Sequence, residues 1–476
     1  MSIKKSVPDE IIGLLEKGGY SIHIKGLAGT GKTSFALQVV KNVSSNGTVI
    51  YLSTRVTPDR VLVQFPWVRE FLDAQNILDA KRSYITPDVP KRLLFEYTDQ
   101  PEFIRSINEK IQTAECRPVT VIIDSLDALK SNLNLDDKDN TIETILLEIG
   151  EKTDSNMLFI TETDEPCKLD YLVDGVIRLE REIIDDRLLR KLYFEKIRGG
   201  QMDQPYYLFT LKGSLFTSFA PQLFPRIKYV AGPEPEEQRS ALIPTSIKEV
   251  DNALKGGLRK GTLNLIKTSR EMGTEYFYIL YPIIWSFIQK GFPVFMIPSQ
   301  SSTTKLTMDY MVSLLGVGKD ESIISKLRQY LYFFQFSDTT EKTPWNEISV
   351  SREDITNFSK VFRESVNEIK EKLGVENFLW FLGVDTMERI YGEEIFEKTI
   401  GTIVLESSFL NGIILALAKQ GIKSMDPLIH LASTQFVMEN KGALTIYGEF
   451  PKTKIYAIAT DTTTEGNNKI ELESIE

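Results

Sequence analysis

"IKGLAGTGKTSF", residues 24–35, decides how the rest of the chain is read. Gly26, Leu27, Ala28, Gly29, Thr30, Gly31, Lys32 and Thr33 fit the pattern G-x-x-x-x-G-K-[ST]. The glycines let backbone N–H groups turn inward around phosphate oxygens. A helix opening at Gly31 would aim the positive end of its dipole at the same anion. In that arrangement Lys32 reaches the β- and γ-phosphates and the Thr33 hydroxyl ligates Mg²⁺, with Ser34 counted among the binding residues. The expected ligands are ATP and Mg²⁺.

A glycine turn can match such a pattern by chance, so its surroundings matter. "SIHI" before it reads as a strand, and "GKTSFALQVVKNV" after it as a helix with Phe35, Ala36, Val39 and Val40 on one face. "PVTVIID" is an apolar strand ending in Asp124, the place for a carboxylate that holds Mg²⁺ directly or through water. "GTVIYLS" and "NMLFITE" add two more strands. Apolar strands separated by helical segments predict an α/β fold with a mainly parallel sheet.

The same plan returns further along. "IKTSREMGTEY", residues 266–276, aligns with the first loop so that Gly31 falls on Gly273, an offset of 273 − 31 = 242. In that alignment Gly26 becomes Thr268, Lys32 becomes Thr274 and Thr33 becomes Glu275. "VIIDSLDAL" aligns with "FLGVDTMERI", placing Asp124 on Asp385 at an offset of 385 − 124 = 261, so the second copy carries insertions. "SNMLFIT" aligns more weakly with "NGIILAL", and runs at Val294–Ile297 and Phe378–Val384 continue the α/β pattern. The expectation is two tandem domains, 1–231 and 244–476, the second degenerate. "GPEPEEQRS" lies within a linker at 232–243. Ser246 and Glu249 fit a capping box for a helix that Gly256-Gly257 would stop.

Composition excludes several classes. The formal charge is −10, against a surface built chiefly to neutralise nucleic acid. Two cysteines, Cys116 and Cys167, make no disulfide framework and no metal cage, and two histidines, His23 and His430, make a His-rich metal site unexpected. His23 reads as an ordinary strand residue. "YFYILYPIIWSFI", residues 276–288, is shorter than the ~20 residues that span a bilayer, and Pro282 interrupts it, so a buried helix is expected. No apolar segment follows the first charged residues as in a secretory signal, so the protein is expected in the cytoplasm, with no membrane association.

Hydrolysis also needs a group that orients or deprotonates water. "VIYLSTRV" ends in Thr54-Arg55-Val56, with no acid there. Glu162, in "FITETDE", is the substitute candidate, and Asp127 reads as an exposed helix-start acid. Lys196 and Arg198, in "YFEKIRGG", are two apart and so face one side of a strand. They read as a solvated pair or as a finger toward a neighbour's γ-phosphate.

These segments together resemble the RecA/KaiC superfamily of P-loop ATPases. The carriers are "SIKEVDNALKGGLRKGTLNLI", "VIIDSLDAL" and "YLVDGVIRLER…LYFEKIRGG". The opening "VPDEIIGLLEKGGYSIHIKGLAGTGKTSFAL" with "IYLSTRVTPDR" looks most like the archaeal GvpD group. The resemblance implies a RecA-type core, Mg-ATP at residues 26–33 and Asp124, assembly into homo-oligomers, and Lys196 and Arg198 acting across a subunit boundary. It also implies a catalytic glutamate at the end of the second strand, where Thr54-Arg55-Val56 stands, and a second K-x-R where "YGEFPKT" stands. The GvpD group implies regulation through a protein partner such as a transcription factor. The leading expectation is therefore an ATP-binding regulatory switch whose hydrolysis is slow or absent. The alternative is an active oligomeric ATPase working on DNA, which would need basic, Gly-rich DNA loops.

Overall fold

The computed structural model describes residues 4–43, 47–80, 101–133, 135, 140–220, 241–299, 303–314, 321–336, 344–352, 355–461 and 469–476. They form two compact units. One spans Lys4–Ala220 together with Ile475–Glu476, and the other runs to Ser474. The linker expected at 232–243 lies outside the described residues up to 240. Leu242–Ile243 are already part of the second unit, paired antiparallel with Leu258–Arg259.

The first unit is built on a ten-stranded sheet. From one edge inward the strands are Ile77–Asp79, Thr48–Ser53, Val119–Asp124, Asn156–Ile160, Ser21–Lys25 and Gly175–Ile184, all parallel. Arg187–Ile197, Tyr206–Thr210, Thr217–Phe219 and Lys4–Lys5 then extend the sheet antiparallel. Side chains alternate across a strand, so an unbroken apolar run must feed two cores. Along Asn156–Ile160, Leu158 and Ile160 join the core that packs the loop helix Lys32–Val43. Met157 and Phe159 join the opposite core, under the helices Glu102–Thr113 and Thr141–Thr153. The result is three layers, helix–sheet–helix.

The second unit repeats this topology. Its strands, from the corresponding position inward, are Leu331–Gln335, Val294–Ile297, Phe378–Gly383, Gly412–Lys419, Leu263–Thr268, Ala432–Asn440 and Leu444–Phe450. Ranked by position in the chain, seven consecutive strands follow the order 3-2-4-5-1-6-7 in both sheets. The fold is thus α/β with two tandem P-loop-type domains. The second sheet adds Asn346–Ser349 outside this set and closes its other side with Tyr456–Asp461 and Lys469–Ser474.

The apolar run at 276–288 is a helix, Phe277–Gln289, in which every residue from Phe277 to Ile288 is buried. Among the described residues no helix is long and apolar enough to cross a membrane. The capping box expected at Ser246 and Glu249 does not form. Ser246 has φ 67°, outside the extended region an N-cap uses, and its hydroxyl donates to Ser286 at 2.9 Å. The helix is Lys248–Ala253, and Asp251 accepts from the N–H and the hydroxyl of Thr245, both at 2.7 Å.

Phe159 is completely buried in the first sheet. Phe159→Ala is expected to cost the first unit about 3–5 kcal/mol. Amide hydrogen exchange should show protection falling across Ser21–Lys25 and Val119–Asp124 and unchanged in Leu263–Thr268.

Candidate functional site

The strand Ser21–Lys25 runs into the glycine-rich loop, and the helix Lys32–Val43 leaves it. Gly26 has φ 146°, and its N–H donates to the Thr163 carbonyl at 2.8 Å. A Cβ there would lie 2.3 Å from the Leu179 carbonyl oxygen, so no side chain fits. Gly31 has φ 103°, and a Cβ on it would meet Leu211 at 2.7 Å. The loop therefore holds a conformation that only these glycines allow. Leu27 and Ala28 are exposed on its rim, while Thr30 and Ser34 are buried. The Thr30 hydroxyl donates to the Leu27 carbonyl.

Lys32 is 5% exposed. Its Nζ donates to the carbonyls of Gly26 (2.7 Å) and Leu27 (2.9 Å) and pairs with Glu162 Oε2 at 3.0 Å. Glu162 Oε1 pairs in turn with Arg55 at 3.0 Å. The acid taken as the substitute base and the arginine standing where an acid was sought are thus salt-bridge partners. Asp127 is not a bare helix-start acid: its Oδ2 accepts the Glu162 backbone N–H. Thr54 is committed to backbone, its hydroxyl donating to the Asp124 carbonyl (2.9 Å) and accepting the Ser125 N–H (2.7 Å).

Asp124, at the end of its strand, accepts from the Thr33 hydroxyl at 2.7 Å and the Tyr51 hydroxyl at 2.6 Å. Burial pushes its pKa above the ordinary aspartate range, against the lowering effect of those two hydrogen bonds. Burial, reinforced by the Asp124 charge, raises Tyr51 so that it stays a donor. The donor set fits a magnesium nucleotide: an ammonium and a helix N-terminus for phosphate, a hydroxyl and a carboxylate in contact for a hard cation. Gly26, Leu27, Ala28, Gly29, Thr30, Gly31, Lys32, Thr33, Ser34 and Asp124 are brought together here, with Glu162 beside them.

Lys196 and Arg198 are engaged elsewhere. Lys196 donates to the carbonyls of Asp170 (2.7 Å) and Val173, at the end of the helix Lys168–Leu172. Arg198 has a side chain 57% exposed and reaches the Tyr171 carbonyl and Asp174. Both therefore face one side, as their spacing predicts, and their described contacts are with this helix and the residues just after it.

Sequence reading missed Arg190. It is 9% exposed, and its guanidinium donates to the carbonyls of Gly29 and Thr30 (both 3.3 Å) and to the main-chain oxygen of Glu476 (2.7 Å). A buried cation thus braces the loop from below. No local motif marks it, because its partners lie some 160 residues before it and 286 after it.

The corresponding place in the second unit is built differently. Gly273 is not among the glycines with positive φ, and Thr268 stands where Gly26 needs φ 146°. The helix begins at Phe277, three residues past Thr274, whereas in the first unit it begins at Lys32 itself. Glu275 Oε2 is buried without a hydrogen-bond partner, 3.3 Å from where a Cβ on Gly273 would stand. Asp385 lies past its strand and accepts from the Ser299 hydroxyl at 2.6 Å.

Comparison with known proteins agrees with this geometry. Residues 14–195 match the family GvpD gas vesicle protein, P-loop domain. The match lies within the first unit and takes in its glycine-rich loop, Asp124 and Glu162. The likeness to GvpD proteins runs well beyond it. GvpD1 of Halobacterium salinarum is 22% identical over an alignment covering 92% of this chain and 91% of its own length. GvpD2 of the same organism is 23% identical, covering 93% and 91%. A UPF0273 protein of Pyrococcus horikoshii is 26% identical over 41% of this chain and 85% of its own length. The chain is thus similar to GvpD proteins through both units.

The raised pKa of Asp124 has a sign. A protonated carboxylate cannot hold Mg²⁺, so proton competition begins at higher pH than for an ordinary aspartate. Mg²⁺-dependent nucleotide affinity should fall on acidification with a midpoint above the ordinary carboxylate range. Asp124→Asn should remove that dependence while weakening affinity at neutral pH. Calorimetric titration at several pH values reads both.

Proposed function

We propose that the first unit binds Mg-ATP and works as a nucleotide-dependent switch acting on a protein partner, with hydrolysis slow or absent. The observation that carries this is the Lys32–Glu162–Arg55 chain of ion pairs. Bound ATP supplies a polyphosphate anion and brings Mg²⁺; the response lies in the protein's own groups. Lys32 turns from Glu162 to phosphate oxygens, and Thr33 and Asp124 face the cation. Glu162 is then left with Arg55 alone, and its segment, tied to Asp127 and through Thr163 to Gly26, is free to shift. Nucleotide state is converted in this way into the position of one surface loop.

The same chain of ion pairs argues for slow chemistry. A general base must be free to take a proton from water. After Lys32 turns to phosphate, Glu162 still holds Arg55, so its carboxylate stays engaged. Thr54 is spent on backbone contacts. Likeness to GvpD proteins supports a regulatory role, with a transcription factor as one class of partner. The exposed Arg198, beside Tyr171 at 78% exposure, suits contact with a second copy of the chain. A cytoplasmic location fits this reading.

Turnover is expected on the order of one per minute or less. Rates of tens per minute, abolished by Lys32→Ala, would overturn the slow-switch reading. Glu162→Gln, which keeps the shape and removes the competing charge, should tighten ATP binding roughly five- to tenfold. Lys32→Ala should weaken it by about two orders of magnitude. Weaker binding in Glu162→Gln would show that Glu162 does not compete for Lys32.

A further inference from the structure

His23 was expected to be an ordinary strand residue, yet it is completely buried and engaged at both ring nitrogens. Nδ1 lies 2.7 Å from Asp170 Oδ1, and Nε2 lies 2.7 Å from the Thr161 hydroxyl. Cys167 opens the short helix Lys168–Leu172. One ligand atom each from His23, Cys167 and Asp170 lie within 4.8 Å of one another. From these positions we infer that His23, Cys167 and Asp170 form a binding site for a borderline-soft divalent metal ion of the zinc class.

The donor types set the class. Thiolate sulfur, imidazole nitrogen and a single carboxylate oxygen suit Zn²⁺, whereas Mg²⁺ and Ca²⁺ want oxygen alone. Three protein donors leave a fourth position for water, on the side where Cys167 is partly exposed.

Each donor is also held from behind, as metal ligands require. Thr161 holds the far nitrogen of His23. Asp170 Oδ2 accepts from Lys25 Nζ at 3.1 Å and from the Cys167 N–H at 3.0 Å. The Cys167 side chain accepts the Asp170 N–H. Lys25 reaches Glu195 as well, at 2.7 Å. Glu195 is shared with Arg178, at 2.6 Å, so Lys25 is held between two carboxylates of which one has its own cation.

One adjustment is needed. Two donors on a tetrahedral ion with bonds of about 2.0 Å stand roughly 3.3 Å apart, so Asp170 must draw back from His23 by about half an ångström as the shared proton leaves. An ion here would pin the strand that feeds the phosphate loop to the helix whose end Lys196 holds.

The test uses the full chain carrying Cys116→Ser, since Cys116 is an exposed free thiol. Metal-free protein is titrated with Co²⁺, then with Zn²⁺. Expected are a thiolate-to-cobalt charge-transfer band saturating at one equivalent, proton release on binding, and loss of the band when Zn²⁺ displaces Co²⁺. Cys167→Ser should abolish the band, and His23→Gln should weaken Co²⁺ binding at least tenfold. Circular dichroism checks that both variants fold. If either does not, the band and proton release of the parent chain decide. No charge-transfer band, or one that survives Cys167→Ser in a folded variant, overturns the site.

Discussion

The structure turns on where the Lys32 ammonium is held. It is nearly buried, and the carbonyls of Gly26 and Leu27 take two of its three protons. Glu162 takes the third. A buried ammonium must be neutralised, so some anion always stands in this place. In the structure described here that anion is a glutamate of the same chain. Phosphate would be the alternative occupant. The backbone needed for this exists only because Gly26 and Gly31 take φ values closed to other residues.

Much of the fold was legible because it rests on local chemistry. Unbroken β-branched and aliphatic runs such as Val119–Ile123 can only be strands buried on both faces, and the loop pattern fixes the strand before it and the helix after it. The repeat was legible through Asp124 and Asp385 despite unequal offsets, and the shared strand order bears it out. The capping box failed because a sequence pattern does not report the φ of Ser246.

The site was legible only where its residues are neighbours in sequence. Glu162 was picked out, but its pairing with Arg55 joins positions 107 residues apart, and Arg190 reaches the loop from 160 residues away. His23 looked ordinary because its partner Asp170 stands 147 residues on, brought near only when the sheet forms. Long-range ion pairs leave no periodicity to read.

The second unit has the strand order of the first without its loop chemistry. Strand order is shared, while Thr274 and Glu275 stand in place of the ammonium and hydroxyl, and one oxygen of the half-buried Glu275 carboxylate lies buried without a hydrogen-bond partner. Its apolar core is extensive, with Phe277–Ile288 wholly buried against its sheet. The proposed nucleotide site therefore lies in the first unit only. Equilibrium dialysis of the full chain with radiolabelled ATP and Mg²⁺ counts the sites directly. One nucleotide per chain, falling to none in Lys32→Ala, is the predicted result, and two per chain, or one that survives Lys32→Ala, would contradict it.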